Sequence, residues 1–197
     1  GVIEIEGRSV RLRTPQDSRQ AGVAVIYQEF NLVPGLNAVE NIFLGKEVTK
    51  GGFIAQQQER RQAAELFQRL GITLDLELPC RLLTTAQQQL VEIAKALAFD
   101  ARIIVMDEPS AALTANEVER LFSIIRDLQS RGIGIIYISH RLDEISQIAD
   151  RVSILRDGQN VGERGIADIT KQEMIEMMVG RELKHEFPVR QRNPGVV

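Results

Sequence analysis

Cysteine is almost absent from this chain: among 197 residues only Cys80 carries a thiol, so no internal disulfide can brace the fold. Long apolar runs are absent too. No stretch approaches the roughly 18 to 20 consecutive apolar residues that a membrane-spanning helix requires. The opening GVIEIEGRSVRLRTP has neither the apolar core nor the small-residue cleavage site of a secretory leader. A surplus of basic charge is missing as well. Against 24 Lys and Arg stand 27 Asp and Glu, a net charge of -3, which leaves no positive field to hold a nucleic acid backbone. Together these absences lead us to expect a soluble, cytoplasmic chain with no nucleic acid partner. The first residue is not Met, from which truncation or processing is expected.

What the chain does have is enough apolar content, 44%, to bury one core, and its length suits a single domain. Val23 to Tyr27 (VAVIY), Ile103 to Met106 (IIVM) and Ile133 to Ile138 (IGIIYI) are short, mostly β-branched runs, the pattern of strands covered on both faces. Between the second and third, Thr114 and Glu117 are spaced as a capping box ahead of an apolar stripe at Val118, Leu121, Phe122, Ile125 and Leu128. Strand, helix, strand at this length predicts parallel pairing and an α/β layered fold.

From about residue 36 to 99 the periodicity turns helical with no convincing strand, and a helical subdomain is expected there. Its clearest helices are Gln56 to Leu70 and Gln87 to Ala98, both amphipathic. A helix near Arg141 to Ile148 follows the third strand. Next come a strand pair around Val152 to Val161 turned by Asp157 and Gly158, and a helix capped by Thr170 and Glu173. The charged, proline-bearing tail after Lys184 reads as linker.

The strongest local signal is Ile103 to Pro109, IIVMDEP, a buried strand ending in two adjacent carboxylates where a parallel sheet opens its binding crevice. Asp107 can hold Mg²⁺ through water while Glu108 polarises an attacking water. The alternative is an acidic pair that only caps a strand at a solvated turn. His140 follows the next strand in Ile138-Ser139-His140, so it is expected beside Glu108, within reach of a terminal phosphate. By itself it reads first as a polar residue at a strand exit, and the preceding carboxylate strand one crossover away is what favours the site; His185 in the tail is expected to be merely solvated. Gln28 ends the first strand, where a neutral side chain can touch both metal and water, or simply lie on the surface. Leu83-Thr84-Thr85-Ala86-Gln87 immediately precedes a helix, whose free N–H groups and dipole form an anion site. Ordinary capping by one of the two threonines competes with that reading.

Taken in order, YQEF at Gln28, LTTAQ ahead of QQLVEIAKAL, IIVMDEP, SAALT at Ser110 to Thr114, and ISH at His140 resemble the ATP-binding cassette family. They look like its Q-loop, signature motif, Walker B with catalytic glutamate, D-loop and switch histidine. The wording of YQEFNLVPGLNAVENIFLG looks most like the first cassette of tandem ATPases that energise bacterial import of ribose, xylose, galactose and similar monosaccharides.

The resemblance implies a partial P-loop NTPase core, a parallel sheet with a helical subdomain, over residues 1–182, and a linker towards a second cassette over 183–197. It implies ATP and Mg²⁺ as cofactors, Asp107 and Gln28 at the metal, Glu108 as general base and His140 at the γ-phosphate. Leu83, Thr84, Thr85, Ala86 and Gln87 would cover ATP held by a partner cassette, with Ser110 and Ala111 in the D-loop and Gln28 sensing the nucleotide. Transmembrane permease subunits, a periplasmic sugar-binding protein acting indirectly, and the cytoplasmic face of the inner membrane complete the expectation. Two departures stand out. No GxxxxGK[ST] run occurs in the sequence, so the chain as given is expected to bind ATP poorly and hydrolyse essentially none. Thr84, Thr85 and Ala86 replace the family's serine and two glycines, and their methyl groups are expected to hold the backbone farther from a phosphate. The competing readings are a cassette that binds nucleotide without transport and a non-catalytic interaction fragment.

Overall fold

The computed structural model describes residues 1–180, so the expected linker over 183–197 and His185 lie outside the described residues. Two compact units divide the chain, the first over Gly1–His140 and the second from Arg141.

In the first unit, β1 (Ile3–Ile5) and β2 (Arg8–Val10) form an antiparallel hairpin turned by Glu6 and Gly7, both at positive φ, and α1 (Pro15–Gln20) follows. Sequence reading did not find this segment. Its signal was Thr14-Pro15-Gln16-Asp17: Thr14 and Asp17 form a reciprocal cap and Pro15 starts the helix, where its missing N–H costs nothing.

The predicted strands appear as β3 (Val23–Ile26), β6 (Ile103–Asp107) and β7 (Gly134–Ile138), joined in one parallel sheet in the order β3-β6-β7. The carboxylate-bearing strand is central. Between β6 and β7 runs α5 (Ala115–Ser130), started by the Thr114–Glu117 box and packed along β7, with the Phe122 ring edge-on to Tyr137 at 6.1 Å. One expectation fails. Only one face of the sheet is fully covered: Ile26, Ile104 and Met106 are buried, while Val25, Ile136 and Ile138, which the register places on the other face, are exposed. A purely apolar strand sequence reports that both faces are built for burial, not that the described elements cover both.

Between β3 and β6 lies the mainly helical region, α2 (Ala38–Phe43), α3 (Gln56–Arg69) and α4 (Thr85–Ala98), in which α2 packs on both α3 and α4. It also contains a short hairpin that the sequence reading missed, β4 (Thr49–Lys50) and β5 (Phe53–Ile54). Gly51 and Gly52 both sit at positive φ, 61° and 84°, the requirement of a two-residue type I′ turn, and the Gly-Gly pair was the legible signal.

The second unit consists of α6 (Leu142–Ile148), the hairpin β8 (Arg151–Arg156) and β9 (Gln159–Gly165) turned at Asp157 and Gly158, and α7 (Lys171–Val179). Leu142, Val152, Ile154 and Met174 form its small core. The Thr170–Glu173 cap predicted for α7 is present.

Candidate nucleotide site at the sheet edge

The register brings the predicted residues to one edge. Ile26 pairs with Met106 and Asp107 with Ile138, so the chain leaving β3 at Gln28, the β6 end at Asp107 and Glu108, and the β7 exit at His140 emerge side by side. Glu108 continues the ladder by one bond, its N–H donating to the Ile138 carbonyl at 3.0 Å. The backbone then turns sharply: Glu108 adopts φ 47°, a left-handed conformation unusual for a residue with a long side chain. Buried Pro109 follows, and the Ala111 N–H closes the turn onto the Glu108 carbonyl at 3.1 Å.

That turn aims the Glu108 side chain back across the strand ends. One carboxylate oxygen, Oε1, accepts from the His140 backbone N–H at 3.2 Å and lies 2.8 Å from His140 Nδ1. The second, Oε2, is buried and has no hydrogen-bond partner among the described residues. The two oxygens therefore have different jobs available to them. Oε1 fixes the carboxylate's orientation, and Oε2 keeps its lone pairs for a partner that the described residues do not supply, because a buried acceptor left unpaired costs about 1–3 kcal/mol. The Glu108 side chain is 18% exposed and that of His140 74% exposed, so the pair presents a shielded base and an open imidazole.

Asp107 is half-buried and Gln28 exposed, on strand ends that flank Glu108. One carboxylate and one amide oxygen are the sparse oxygen donor set that Mg²⁺ accepts when phosphates and water fill its remaining positions. Together with the orphaned Glu108 Oε2, these residues fit a magnesium nucleotide.

The remaining predicted residues lie on two other segments. Thr84 is the N-cap of α4, with Thr84 Oγ1 accepting from the Gln87 N–H at 3.3 Å and Gln87 Oε1 accepting from the Thr84 N–H at 2.9 Å. The capping alternative is thus realised. Thr84 and Thr85 remain exposed at a helix start, and Ala86 and Gln87 are half-buried beside Glu117 and Arg120 at the start of α5. Leu83 and Ser110 are 5% and 0% exposed, so neither offers a side-chain surface, whereas Ala111 is exposed.

Sequence reasoning missed Asn41. This fully buried amide binds the loop that follows Gln28 and also touches Cys80 just ahead of the Leu83–Gln87 segment. Its signal was a polar residue inside the apolar helix AVENIF.

A family model of the ABC transporter matches residues 1–111, more than half of the chain. The chain belongs to the ABC transporter family. Among curated relatives, the ribose import ATP-binding protein RbsA of Hahella chejuensis is 48% identical over 99% of this chain. The protein of the same name from Bacillus licheniformis is 44% identical over 100% of it. The chain spans about 40% of the length of each. Among solved structures, an ATP-binding cassette of an ABC transporter in its ADP conformation superposes with a TM-score of 0.74 at 22% identity, over 89% of this chain and 75% of that one. A nucleotide-free cassette gives a TM-score of 0.71 at 22% identity, over 91% and 73%. These likenesses carry the expected α/β cassette fold with its parallel sheet. In this ABC transporter chain the family match includes Gln28, Leu83–Gln87, Asp107 and Glu108. His140 lies beyond the matched residues and is tied to the site by its contact with Glu108. No helix among the described residues is long and apolar enough to cross a membrane.

Proposed function

We propose that this chain forms most of an ATP-hydrolysing cassette that energises import of a monosaccharide from the cytoplasmic face of the inner membrane. The observation that carries the chemistry is the Glu108–His140 pair at the edge of a parallel sheet, with Glu108 Oε2 left free. The names of its relatives, ribose import ATP-binding proteins, support the transport role and the sugar class.

Glu108 Oε2 takes a proton from an attacking water, while Oε1, held by the His140 N–H and facing its imidazole, keeps the carboxylate from rotating away. The exposed His140 ring orients towards the terminal phosphate and holds the developing charge there. Asp107 and Gln28 orient the metal from strand ends on a rigid sheet. Mg²⁺ held by these residues would supply positive charge to neutralise the phosphates. Thr84, Thr85, Ala86 and Gln87, together with Ala111, face a nucleotide held by a second cassette, in the same protein or a partner. Closure of the two is transmitted to permease subunits served by a periplasmic sugar-binding protein. Residues 1–182 act as one cassette domain in this reading, with the helical region inserted at about 36–99, and 183–197 as its linker.

The glycine-rich cradle and lysine of a phosphate loop are not found in the 197 residues, so the isolated chain is expected to hold Mg-ATP only weakly. The test uses the native protein that carries this sequence. Glu108→Gln should reduce ATP turnover at least a hundredfold while ATP binding persists, as the loss of a general base demands. Turnover retained within threefold removes Glu108 from its role and the hydrolytic reading with it.

A further inference from the structure

The loop after Gln28 is bound both to the C-terminal part of α4 and to the Cys80–Leu82 turn that precedes this helix. Near the helix's C-terminal end, Lys95 Nζ donates to the Asn31 carbonyl at 3.0 Å, and the Asn31 N–H faces the buried Glu92 carboxylate. Just before its N-terminal end, the Cys80 N–H donates to the Leu36 carbonyl at 2.8 Å and the Arg81 N–H to the Pro34 carbonyl at 3.0 Å.

Asn41, on α2, closes this arrangement from inside. It is 0% exposed, its Oδ1 accepts from the Val33 N–H at 2.7 Å, and its Nδ2 donates to the Val33, Leu36 and Asn37 carbonyls at 3.1, 3.2 and 3.0 Å. Nδ2 also lies 3.2 Å from Cys80 Sγ. One side chain thus reads both polar atoms of Val33, fixes the turn to Leu36 and touches the segment that delivers Thr84. We propose that Asn41 is a positioning residue that makes the Gln28 loop and the Leu83–Gln87 segment a single moving body. A displacement of Gln28 by a nucleotide at its own sheet edge then shifts the face offered to the second nucleotide without any contact between the two. A continuous helix of 14 residues, α4, runs between the two sets of contacts. The functional meaning rests on the nucleotide-site reading given above, whereas the coupling is a property of this chain alone.

The coupling is tested by amide hydrogen exchange on the native protein that carries this sequence, without nucleotide. Asn41→Ala should raise exchange at least tenfold at both Val33–Leu36 and Cys80–Gln88, leaving the centre of α5 unchanged. A rise in only one of the two segments, or a uniform rise through α3, α4 and α5, overturns the proposal. Lys95→Met, which removes one outer strap and leaves the buried amide intact, guards against a misfolded variant. It should raise exchange at Cys80 and Arg81 along with Asn31–Leu36, and a rise confined to Asn31–Leu36 overturns the coupling. In the native protein, Asn41→Ala should lower kcat for ATP at least tenfold with KM within twofold, a split that a merely loosened fold would not give. Loss of turnover in Glu108→Gln with unchanged kcat in Asn41→Ala defeats this inference alone. Unchanged turnover in both defeats the hydrolytic reading.

Discussion

Thr84 is both a helix cap and a candidate anion contact, and two substitutions at this one position separate the roles. Thr84→Ala deletes the Oγ1 that accepts from the Gln87 N–H and leaves the reciprocal bond from the Thr84 N–H in place. Loss of such a cap costs about 1 kcal/mol, which for a protein of this size lowers Tm by roughly 2–4 °C. Thr84→Asp restores the acceptor and adds a negative charge at a helix start, favourable by about 0.3–1 kcal/mol, so its Tm should equal or exceed that of the parent. The effect on a phosphate is opposite. A carboxylate about 4 Å from a phosphate charge repels it by about 4 kcal/mol at an effective dielectric of 20. Screening at an exposed position still leaves the roughly 1.4 kcal/mol that corresponds to a tenfold loss of rate. In the native protein, kcat/KM for ATP should therefore fall at least tenfold in Thr84→Asp and far less in Thr84→Ala, while thermal stability ranks the two the other way round. Full turnover in a stable Thr84→Asp protein refutes the anion site and leaves Thr84 a cap.

His140→Ala frees Glu108 Oε1 from the ring that faces it and should lower turnover tenfold or more, measured as phosphate release by the native protein, with little change in Tm because the ring is largely exposed. Phe122→Ala empties a fully buried ring site against Tyr137 and should cost about 3–5 kcal/mol in urea unfolding. Burial raises the Glu92 carboxyl above its ordinary 4.5, against the lowering effects of Lys95 and the Asn31 N–H. An acid whose folded pKa is raised takes up protons more readily when folded. Its contribution to stability is therefore full below the unfolded value and is lost as pH rises through the folded one. Glu92→Gln removes that loss, so the variant's stability relative to the parent should climb as pH rises above 4.5 in urea titrations, and a flat difference refutes the shift.

The parts of the fold legible in the sequence were those in which one physical rule acts without competition. IIVM and its neighbours could only be strands of a parallel sheet, and Thr114 with Glu117, like Thr170 with Glu173, could hardly be other than caps. The pairing of Glu108 with His140 was legible because parallel register converts an offset along the chain into adjacency at the sheet edge. The short hairpins were lost for the opposite reason. Strands of two or three residues have no periodicity to show, and only Glu6-Gly7 and Gly51-Gly52, residues that accept positive φ, betrayed them. The role of Asn41 was missed because a polar residue in an apolar helix marks itself by type alone and shows its partners only when the loop after Gln28 folds over it.

Glu108 brings the energetic argument to a point. Its φ of 47° suits glycine, and nothing about fold stability asks for a long acidic side chain there. Holding a non-glycine residue in this region costs about 1–2 kcal/mol, and the unpaired Oε2 adds a further desolvation cost. If the residue is retained for chemistry, then Glu108→Gly should be at least as stable as the parent, because it relieves the strain and removes the orphaned oxygen along with the His140 contact. Glu108→Ala removes the carboxylate and keeps the strained backbone, so it should unfold at lower urea than Glu108→Gly by an amount equivalent to about 1 kcal/mol. Both variants should be inactive in the native protein. If the two variants unfold together, the left-handed turn carries no strain, and the argument that stability is sacrificed at this position for a correctly aimed base fails with it.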